Sequence, residues 1–280
     1  MSSTKPPRFS QLIGNRQAKE ILTRLLDHKA LPTVLLFHGP SGIGKGLFAE
    51  QIARELVGNS KAQHPDIHTL HPDPESDQHP IAAIRHLLQE SILPPFEAPA
   101  KVFIIHDAEK MLAPSSNALL KTLEEPPTNT YFILLSSQLE RLLPTLVSRC
   151  NKISFFAIPE EELGPYLIQK FHIKEGQKIA LLSQGSLADA IHRIHNPLTI
   201  PLDSLFRSRS YTELRVHLSK IQDDIEDPDR LFEEILFWIR EHEPLRLEEA
   251  IPLIREARQA LHHHVKLKNV IENFFIIFVK

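Results

Sequence analysis

The stretch TVLLFHGPSGIGKGLFAEQIAREL, residues 33–56, decides the fold. It begins with an apolar run typical of a buried strand, passes through a glycine-containing loop, and ends in a segment whose apolar residues recur every four positions. The loop GPSGIGKG, residues 39–46, matches the phosphate-binding pattern G-x-x-x-x-G-K, which requires a strand before it and a helix after it. Both flanking elements are present, so the sequence predicts a phosphate loop rather than a plain glycine turn.

The residues of this loop predict a degenerate cofactor-binding site. Gly39, Gly42 and Gly44 permit a backbone path whose N–H groups face inward at the start of a helix. Lys45 follows, where it can reach the outer phosphates of a nucleotide. The next position, which in such loops carries a hydroxyl that binds magnesium, is Gly46. Glycine costs about 1 kcal/mol relative to alanine within a helix, so we expect no structural benefit from it, and we assign no metal ligand.

The second element of a nucleotide site is a carboxylate that holds magnesium. It is expected at the end of another buried strand, here in IIHDAEKM at 104–111. In one register His106 takes the metal-holding position and Asp107 the water-orienting position. In the other register Asp107 holds the metal and Ala108 replaces the water-orienting residue. In either register the metal-holding or the water-orienting carboxylate is missing. Both polar residues could also be ordinary strand-end residues with no catalytic role.

Two further apolar runs, KVFIIH at 101–106 and YFILLS at 131–136, also predict buried strands. Amphipathic stretches separate the runs, so the predicted fold class is α/β, with a parallel sheet covered by helices. Helices are predicted at 47–56, 81–92, 117–125, 159–171, 178–194 with a break at Gly185-Ser186, and 230–242. The predicted domains are an α/β P-loop domain at 1–156, a small helical lid domain at 157–200 and a C-terminal helical domain at 201–280.

Composition narrows the functional classes. The chain has 280 residues with 32 Lys and Arg against 35 Asp and Glu, a net charge of -3, which argues against an autonomous nucleic-acid binder. Its N-terminus lacks the apolar core of a signal peptide and no apolar run approaches membrane-spanning length, so we expect a cytoplasmic protein without membrane contact. The single cysteine, Cys150, excludes an internal disulfide and a cysteine-cage zinc site.

Several histidines invite a metal-site interpretation. His64, His68 and His71 lie in a polar, proline-rich segment at 63–80 that predicts an extended surface connection, so we expect solvated loop histidines there. The run 262–264 consists of three histidines and is expected to form part of a helical face.

Three longer motifs resemble the AAA+ clamp-loader family over nearly the whole chain. They are FSQLIGN at 9–15, NALLKTLEEPP at 117–127 and FILLSSQLERLLPTLVSRC at 132–150. The first resembles the family's N-terminal box beside the adenine, and the third resembles its sensor strand and Ser-Arg-Cys motif. Independently of the family, Ser115 or Ser116 is a plausible N-cap for the helix in the second motif.

The resemblance implies roles for individual residues. Arg149, in Ser148-Arg149-Cys150, would be an arginine finger that acts with Ser148 on the nucleotide of a neighbouring subunit. Ser137 falls at the sensor-1 position, and Ala188 falls where active members carry the sensor-2 arginine. Cys150 is expected to be a small packing residue, because no nucleophile motif surrounds it. A cysteine zinc module found in many relatives is missing from 58–66.

By this resemblance the chain is a stator-like clamp-loader subunit that helps load the sliding clamp without hydrolysing ATP. Its implied partners are the ATPase subunits of gamma/tau type and the delta subunit, in a hetero-oligomer that reaches the clamp and primed DNA indirectly. The stretch 264–280 resembles the last helix of the family's collar. No cofactor is expected to be required, although ATP, ADP or phosphate bound weakly without magnesium stays open. Two alternatives are an active ATPase that uses Asp107 and Glu109, and a scaffold that binds nucleotide for structure alone.

Overall fold

The structure is a computed structural model that describes residues 8–58, 64–198, 200–208, 210–218 and 227–278. Residues 59–63, in the loop expected to lack zinc ligands, lie outside the described residues, as do the ends of the chain. The chain divides into two compact units, the first ending at Ile191 and the second beginning at His192. The division into three domains at 156/157 and 200/201 stays a prediction.

The first unit is built around a parallel sheet with the strand order β2-β3-β4-β1-β5. The strands are β1 (Val34–His38), β2 (Ile67–Leu70), β3 (Lys101–Ile105), β4 (Thr130–Ser136) and β5 (Asn151–Ser154). The helices are α1 (Arg16–Asp27), α2 (Lys45–Val57), α3 (Ile81–Ile92), α4 (Ala113–Glu124), α5 (Pro144–Val147), α6 (Glu160–Phe171), α7 (Gly176–Leu182) and α8 (Leu187–His195), which crosses the boundary. The α/β class with a parallel sheet is confirmed.

The apolar runs of the three central strands have a simple cause. Neighbouring residues of a strand point to opposite faces of the sheet, and both faces are covered here. Phe37 packs into the hydrophobic cluster that contains α2 residues, whereas its neighbour Leu36 packs into the cluster that contains α3 and α4 residues. Phe103 and Phe132, side by side on the second face, stack with ring centroids 5.3 Å apart. Burial on two sides removes the alternation that a one-sided sheet would show.

Two edge strands were missed by the sequence patterns. β2 lies within the segment predicted as an extended connection, and β5 follows the Ser-Arg-Cys motif. An edge strand has one neighbour and buries little, so its residues need not be apolar. In β5 only Ile153 is buried, and β2 carries no fully buried residue. These strands are recognisable only from their pairing with β3 and β1.

The expected N-cap of α4 is wrong. The helix begins at Ala113, so Ser115 and Ser116 lie inside its first turn and both are buried. Pro114 occupies the start of the helix, where a proline sacrifices no hydrogen bond. Ser115 Oγ instead donates to the carbonyl of His79, 3.3 Å away, and so ties the helix to the segment before α3.

The second unit is helical in its described part. Its helices are α9 (Leu202–Phe206), α10 (Tyr211–Leu218), α11 (Pro228–His242), α12 (Leu247–His262) and α13 (Leu267–Phe278). Stacked Phe206 and Trp238 rings, 4.0 Å apart, lie at its core with Phe275. The run of three histidines is not a helical face, because α12 ends at His262 and His264 has a φ of 61°. Across the described residues no helix has the length and apolar character to cross a membrane.

The expectation of solvated loop histidines is wrong for His64, which is buried. Its Nδ1 accepts the N–H of Asp66 at 3.1 Å, and its Nε2 lies 3.3 Å from a carboxylate oxygen of Glu97. His68 stacks on Phe103 with ring centroids 4.7 Å apart. No group of three or more His, Cys, Asp or Glu residues suited to a metal occurs among the residues that the structure describes.

Buried Asp66 fixes the segment after α3. Its carboxylate accepts the backbone N–H groups of Phe96, Glu97 and Ala98 at 2.5, 3.0 and 2.9 Å. Burial by itself raises the pKa of Asp66, but these three N–H groups and nearby His64 outweigh it and hold the pKa below the usual range. The carboxylate is therefore charged in the folded protein and holds this segment in one conformation.

We expect Asp66→Ala to destabilise the first unit by about 1.5–3 kcal/mol, because a buried charged acceptor of three N–H groups is lost. Since the folded-state pKa is lowered, the stabilisation is present above the ordinary aspartate pKa and is lost as the pH falls through the folded-state value. Thermal unfolding of both proteins at pH 7 and at pH 3 measures this difference. Asp73→Ala is the control, because Asp73 accepts N–H groups of Glu75 and Ser76 from an exposed position. Equal effects of the two substitutions would contradict the prediction.

Candidate functional site

The phosphate loop connects β1 directly to α2. β1 ends at His38, and α2 begins at Lys45. The three glycines between them have φ values of 145° at Gly39, 75° at Gly42 and 97° at Gly44, a region that other residues rarely adopt. The predicted strand, loop and helix are thus present in the predicted order.

Lys45 closes the loop on itself. Its ammonium group donates to the carbonyl oxygens of Gly39 at 2.7 Å and Pro40 at 2.6 Å, and the side chain is buried. Burial lowers the pKa of Lys45, and the carboxylates of Glu109 and Asp107 partly offset that change. The lysine therefore satisfies loop carbonyls, and a phosphate group would have to compete for its three N–H donors.

The start of α8 packs against the same loop. The N–H of Ala188 donates to the carbonyl of Gly42 at 2.9 Å. A Cβ atom built on Gly42 would come within 2.1 Å of Ser186 Oγ and 3.2 Å of the Ala188 Cβ. Gly42 is thus required by close approach of this helix as well as by its φ. The residue expected at the sensor-2 position contacts the loop, but as a methyl group it offers no charge to a phosphate.

The ring of His106 lies where a side chain at position 46 would extend. A Cβ built on Gly46 would lie 3.0 Å from His106 Cε1, so glycine makes room for that ring. This corrects the expectation that Gly46 brings no structural benefit. Burial, followed by the charge of neighbouring His71, lowers the pKa of His106 to about 4, and the two rings stack 4.1 Å apart. His106 is therefore neutral at pH 7, and neutral imidazole is a poor ligand for magnesium.

The two nearby carboxylates are engaged by other groups. Asp107 adopts a φ of 46° and lies 3.6 Å from the ammonium of Lys110. Glu109 accepts hydrogen bonds from both the backbone N–H, at 2.9 Å, and the hydroxyl of Ser137. Burial raises the pKa of Glu109, but the hydrogen bonds from Ser137 outweigh it and lower the pKa, so Glu109 is a carboxylate. Ser137, the residue expected at the sensor-1 position, thus bonds to a glutamate of its own chain, a pairing that the sequence did not reveal.

The segment 9–15, which resembles an N-terminal box, contacts both α2 and the segment that follows β5. The Asn15 side chain accepts the N–H of Phe156 at 2.7 Å. Phe9, from the same box, stacks on Phe48 of α2, which in turn makes an edge contact with Phe155. The box therefore holds the chain where it leaves the sheet.

Arg149 lies between α5 and β5 and is held by two elements. Its Nε donates to a Glu124 carboxylate oxygen at 2.6 Å, its NH2 pairs with the same oxygen, and its NH1 donates to the carbonyl of Thr145 at 2.6 Å. Ser148 Oγ donates to that same carbonyl at 2.9 Å. Cys150 Sγ donates to the Leu146 carbonyl, and burial raises the pKa of the thiol to about 12, as expected for a packing residue.

The structure separates the two groups of predicted site residues. β1 and β5 are parallel, with Leu35 opposite Asn151 and His38 opposite Ser154. The phosphate loop follows the carboxyl end of β1, whereas Arg149 precedes the amino end of β5. Each strand residue adds about 3.3 Å, so the two groups lie near opposite ends of these strands. Arg149 therefore lies far from the phosphate loop of its own chain.

Comparison with known proteins agrees with this architecture. The family model described as "DNA polymerase III, delta subunit" matches residues 14–159. A DNA polymerase III subunit gamma/tau from Mycoplasma genitalium is 30% identical over 208 residues, which is 67% of this chain and 35% of that protein. A DNA polymerase III subunit delta' from Bacillus subtilis is 29% identical over 206 residues, 68% of this chain and 59% of that protein. This chain therefore spans less than two thirds of either relative.

A solved structure shows the same fold. A DNA polymerase III gamma subunit-related protein from Thermotoga maritima superposes with a TM-score of 0.56 at 17% identity, covering 93% of this chain and 98% of that one. The family match spans the phosphate loop, His106 and Asp107 at the end of β3, and the Ser-Arg-Cys motif. The chain thus belongs to the family described as DNA polymerase III, delta subunit, among the AAA+ clamp-loader proteins.

Proposed function

We propose that the chain is a delta-prime-type subunit of a DNA polymerase III clamp loader, a stator that does not hydrolyse ATP itself. In this role it donates Arg149 to a nucleotide held by a neighbouring ATPase subunit. The observation that carries the proposal is that Arg149 lies near the amino ends of the strands, whereas its own phosphate loop follows the carboxyl end of β1. A guanidinium there can serve a nucleotide only if another chain brings it.

Three features of the site around the loop support the absence of hydrolysis in the chain itself. Position 46 lacks a hydroxyl and faces a neutral histidine, Lys45 is bonded to loop carbonyls, and Ala188 replaces the sensor-2 arginine. These features remove or divert the contacts that a P-loop enzyme makes with magnesium and the outer phosphates. We propose that no cofactor is required and that any ATP, ADP or phosphate binds weakly and without magnesium.

The proposed partners follow from the same role. They are gamma/tau-type ATPase subunits and a delta subunit in a hetero-oligomer, with the sliding clamp and primed DNA contacted through the assembled complex. The net charge of -3 fits a protein that reaches DNA through partners rather than alone. The apolar helix α13 leaves Ile277 46% exposed beside buried Phe274 and Phe278, which is consistent with a collar helix.

The alternative of an active ATPase that uses Asp107 and Glu109 is less well supported by the geometry. Lys110 lies 3.6 Å from Asp107, and one carboxylate oxygen of Glu109 is bonded to Ser137. The other oxygen of Glu109 makes no hydrogen bond to the described residues, so the turnover experiment below decides between the two functions. The scaffold alternative requires nucleotide to stabilise the fold through Lys45, whose ammonium already has two carbonyl partners.

ATP turnover by the isolated chain tests this proposal. We expect no hydrolysis above background for the native chain, for Lys45→Ala or for Asp107→Ala, because the magnesium and transition-state contacts are missing. Thermal unfolding with and without ATP, measured on the native chain and Lys45→Ala, tests the scaffold alternative through ligand-linked stabilisation. Brisk turnover that depends on Lys45 would contradict the proposal, and a Lys45-dependent stabilisation by ATP would favour the scaffold.

A further inference from the structure

Arg149 makes an ion pair with Glu124, a residue distant from it in the sequence. Glu124 is the last residue of α4, and a proline pair follows at 126–127. One carboxylate oxygen of Glu124 accepts from Nε of Arg149 at 2.6 Å and also pairs with NH2. The glutamate therefore occupies one edge of the guanidinium, the edge formed by Nε and NH2.

The backbone of α5 holds the opposite side of the group. The carbonyl oxygen of Thr145 accepts from NH1 of Arg149 at 2.6 Å, and Ser148 Oγ lies 3.5 Å from the same nitrogen. An arginine side chain has several rotatable bonds, and a single contact would leave its head free to swing. Contacts on both sides fix the direction in which the planar head points.

The same contacts leave part of the guanidinium available. Arginine carries five N–H donors, one on Nε and two on each terminal nitrogen. Glu124 takes the Nε donor and one on NH2, so NH2 retains a donor that makes no hydrogen bond to the described residues. With 31% of its side chain exposed, Arg149 can present this terminal edge to an incoming anion.

We infer that Glu124 is a positioning residue for Arg149. It holds the Nε edge of the guanidinium so that the remaining N–H groups of the terminal nitrogens can meet the phosphate of a nucleotide on the adjacent subunit. This inference rests on the proposed function of Arg149. The carboxylate does not touch the phosphate in this scheme. It removes the orientational freedom that Arg149 would otherwise lose when the transition state forms.

The neighbouring Glu125 provides a matched control. It has the same charge, is also exposed, and differs in that no ion pair to Arg149 is present in the described structure. The experiment measures DNA-stimulated ATP hydrolysis by the reconstituted complex with the native chain, Glu124→Ala, Glu124→Gln, Glu125→Ala, Arg149→Ala and the double variant Glu124→Ala/Arg149→Ala. Thermal unfolding of each isolated chain reports whether it folds.

We expect Glu124→Ala to lower kcat about two- to fivefold, because an unpositioned guanidinium costs rate without being lost. Glu124→Gln, which keeps an acceptor oxygen, is expected to fall between Glu124→Ala and the native chain, and Glu125→Ala to match the native chain. In the Arg149→Ala background, Glu124→Ala is expected to have no further effect, which a merely structural role would not produce. Unfolding midpoints are expected to change little, since an exposed ion pair stabilises weakly.

The outcomes separate the inference from the function on which it rests. If Arg149→Ala lowers the rate but Glu124→Ala behaves like Glu125→Ala, the positioning role of Glu124 is wrong and the proposed role of Arg149 is retained. The inference is also wrong if Glu124→Ala lowers the rate equally with and without Arg149, or if it raises the rate. If Arg149→Ala leaves the rate unchanged, the proposed function itself fails. Should Glu124→Ala fold poorly, Glu124→Gln decides the matter by the same comparison.

Discussion

Replacing Arg149 by alanine is expected to lower DNA-stimulated ATP hydrolysis by the reconstituted complex about fivefold or more. The guanidinium stabilises the negative charge that develops on the transferred phosphoryl group, an effect of about 10³–10⁵ in rate in GTPases. Only a nucleotide that faces this chain loses the contact, so the hydrolysis rate of the whole complex falls by a smaller factor. The measurement is the steady-state rate of the complex at saturating ATP and primed DNA.

Two controls define what the loss means. Arg149→Lys keeps the charge but cannot present a planar fork, so its rate is expected to stay well below that of the native complex. Arg141→Ala removes another exposed arginine eight residues earlier, at the end of the short turn after β4, and is expected to have no effect. Folding of Arg149→Ala is expected to be nearly unchanged, because the exposed pair with Glu124 adds only about 0.2–1 kcal/mol. The assignment would be contradicted if Arg149→Ala left the hydrolysis rate of the complex unchanged and Arg141→Ala lowered it.

The elements that the sequence predicted correctly are those in which one local signal was sufficient. The helix at 81–92 was placed at its observed bounds, and the three central strands were found because both of their faces are buried. The edge strands β2 and β5 carry no such signal, because their existence depends on a neighbour distant in the chain. The N-cap of α4 failed for a related reason, since Pro114 starts the helix before the serines.

In the candidate site too, local features were predictable from the sequence and long-range contacts were not. The glycine pattern predicted the loop conformation, because positive φ is a local requirement that glycine meets. Three partners escaped prediction, since each joins residues far apart in the chain: Ala188 with Gly42, Ser137 with Glu109, and Glu124 with Arg149. Glu109 was considered only as an acidic residue of an active ATPase, and Glu124 was given no role from the sequence. Their roles depend on which polar group the fold brings opposite them.

Gly39→Ala is expected to destabilise the first unit by about 4 kcal/mol, whether or not a nucleotide ever binds. The φ of 145° at Gly39 is a conformation that other residues hardly adopt, which costs about 1–3 kcal/mol. A Cβ atom there would lie only 2.0 Å from the carbonyl oxygen of Phe155, and relief of such a clash costs a similar amount. The clash arises because the chain continues past β5 alongside the loop, where the Phe155 N–H donates to the His38 carbonyl at 2.8 Å.

The Gly39 prediction separates a structural requirement from a nucleotide requirement. Amide hydrogen exchange in β1 and β4 measures opening of the first unit, and protection there is expected to fall about a hundredfold or more in Gly39→Ala. Amides of α11 and α12, in the second unit, are expected to keep their protection. Gly58→Ala is the control, because Gly58 has a φ of 70° but no described atom within 4 Å of a built Cβ, so only about 1–2 kcal/mol is at stake. If both substitutions had equally small effects, the close approach of Phe155 would not be what demands glycine. The close approach of a bound ligand would then be the remaining explanation for glycine at this position.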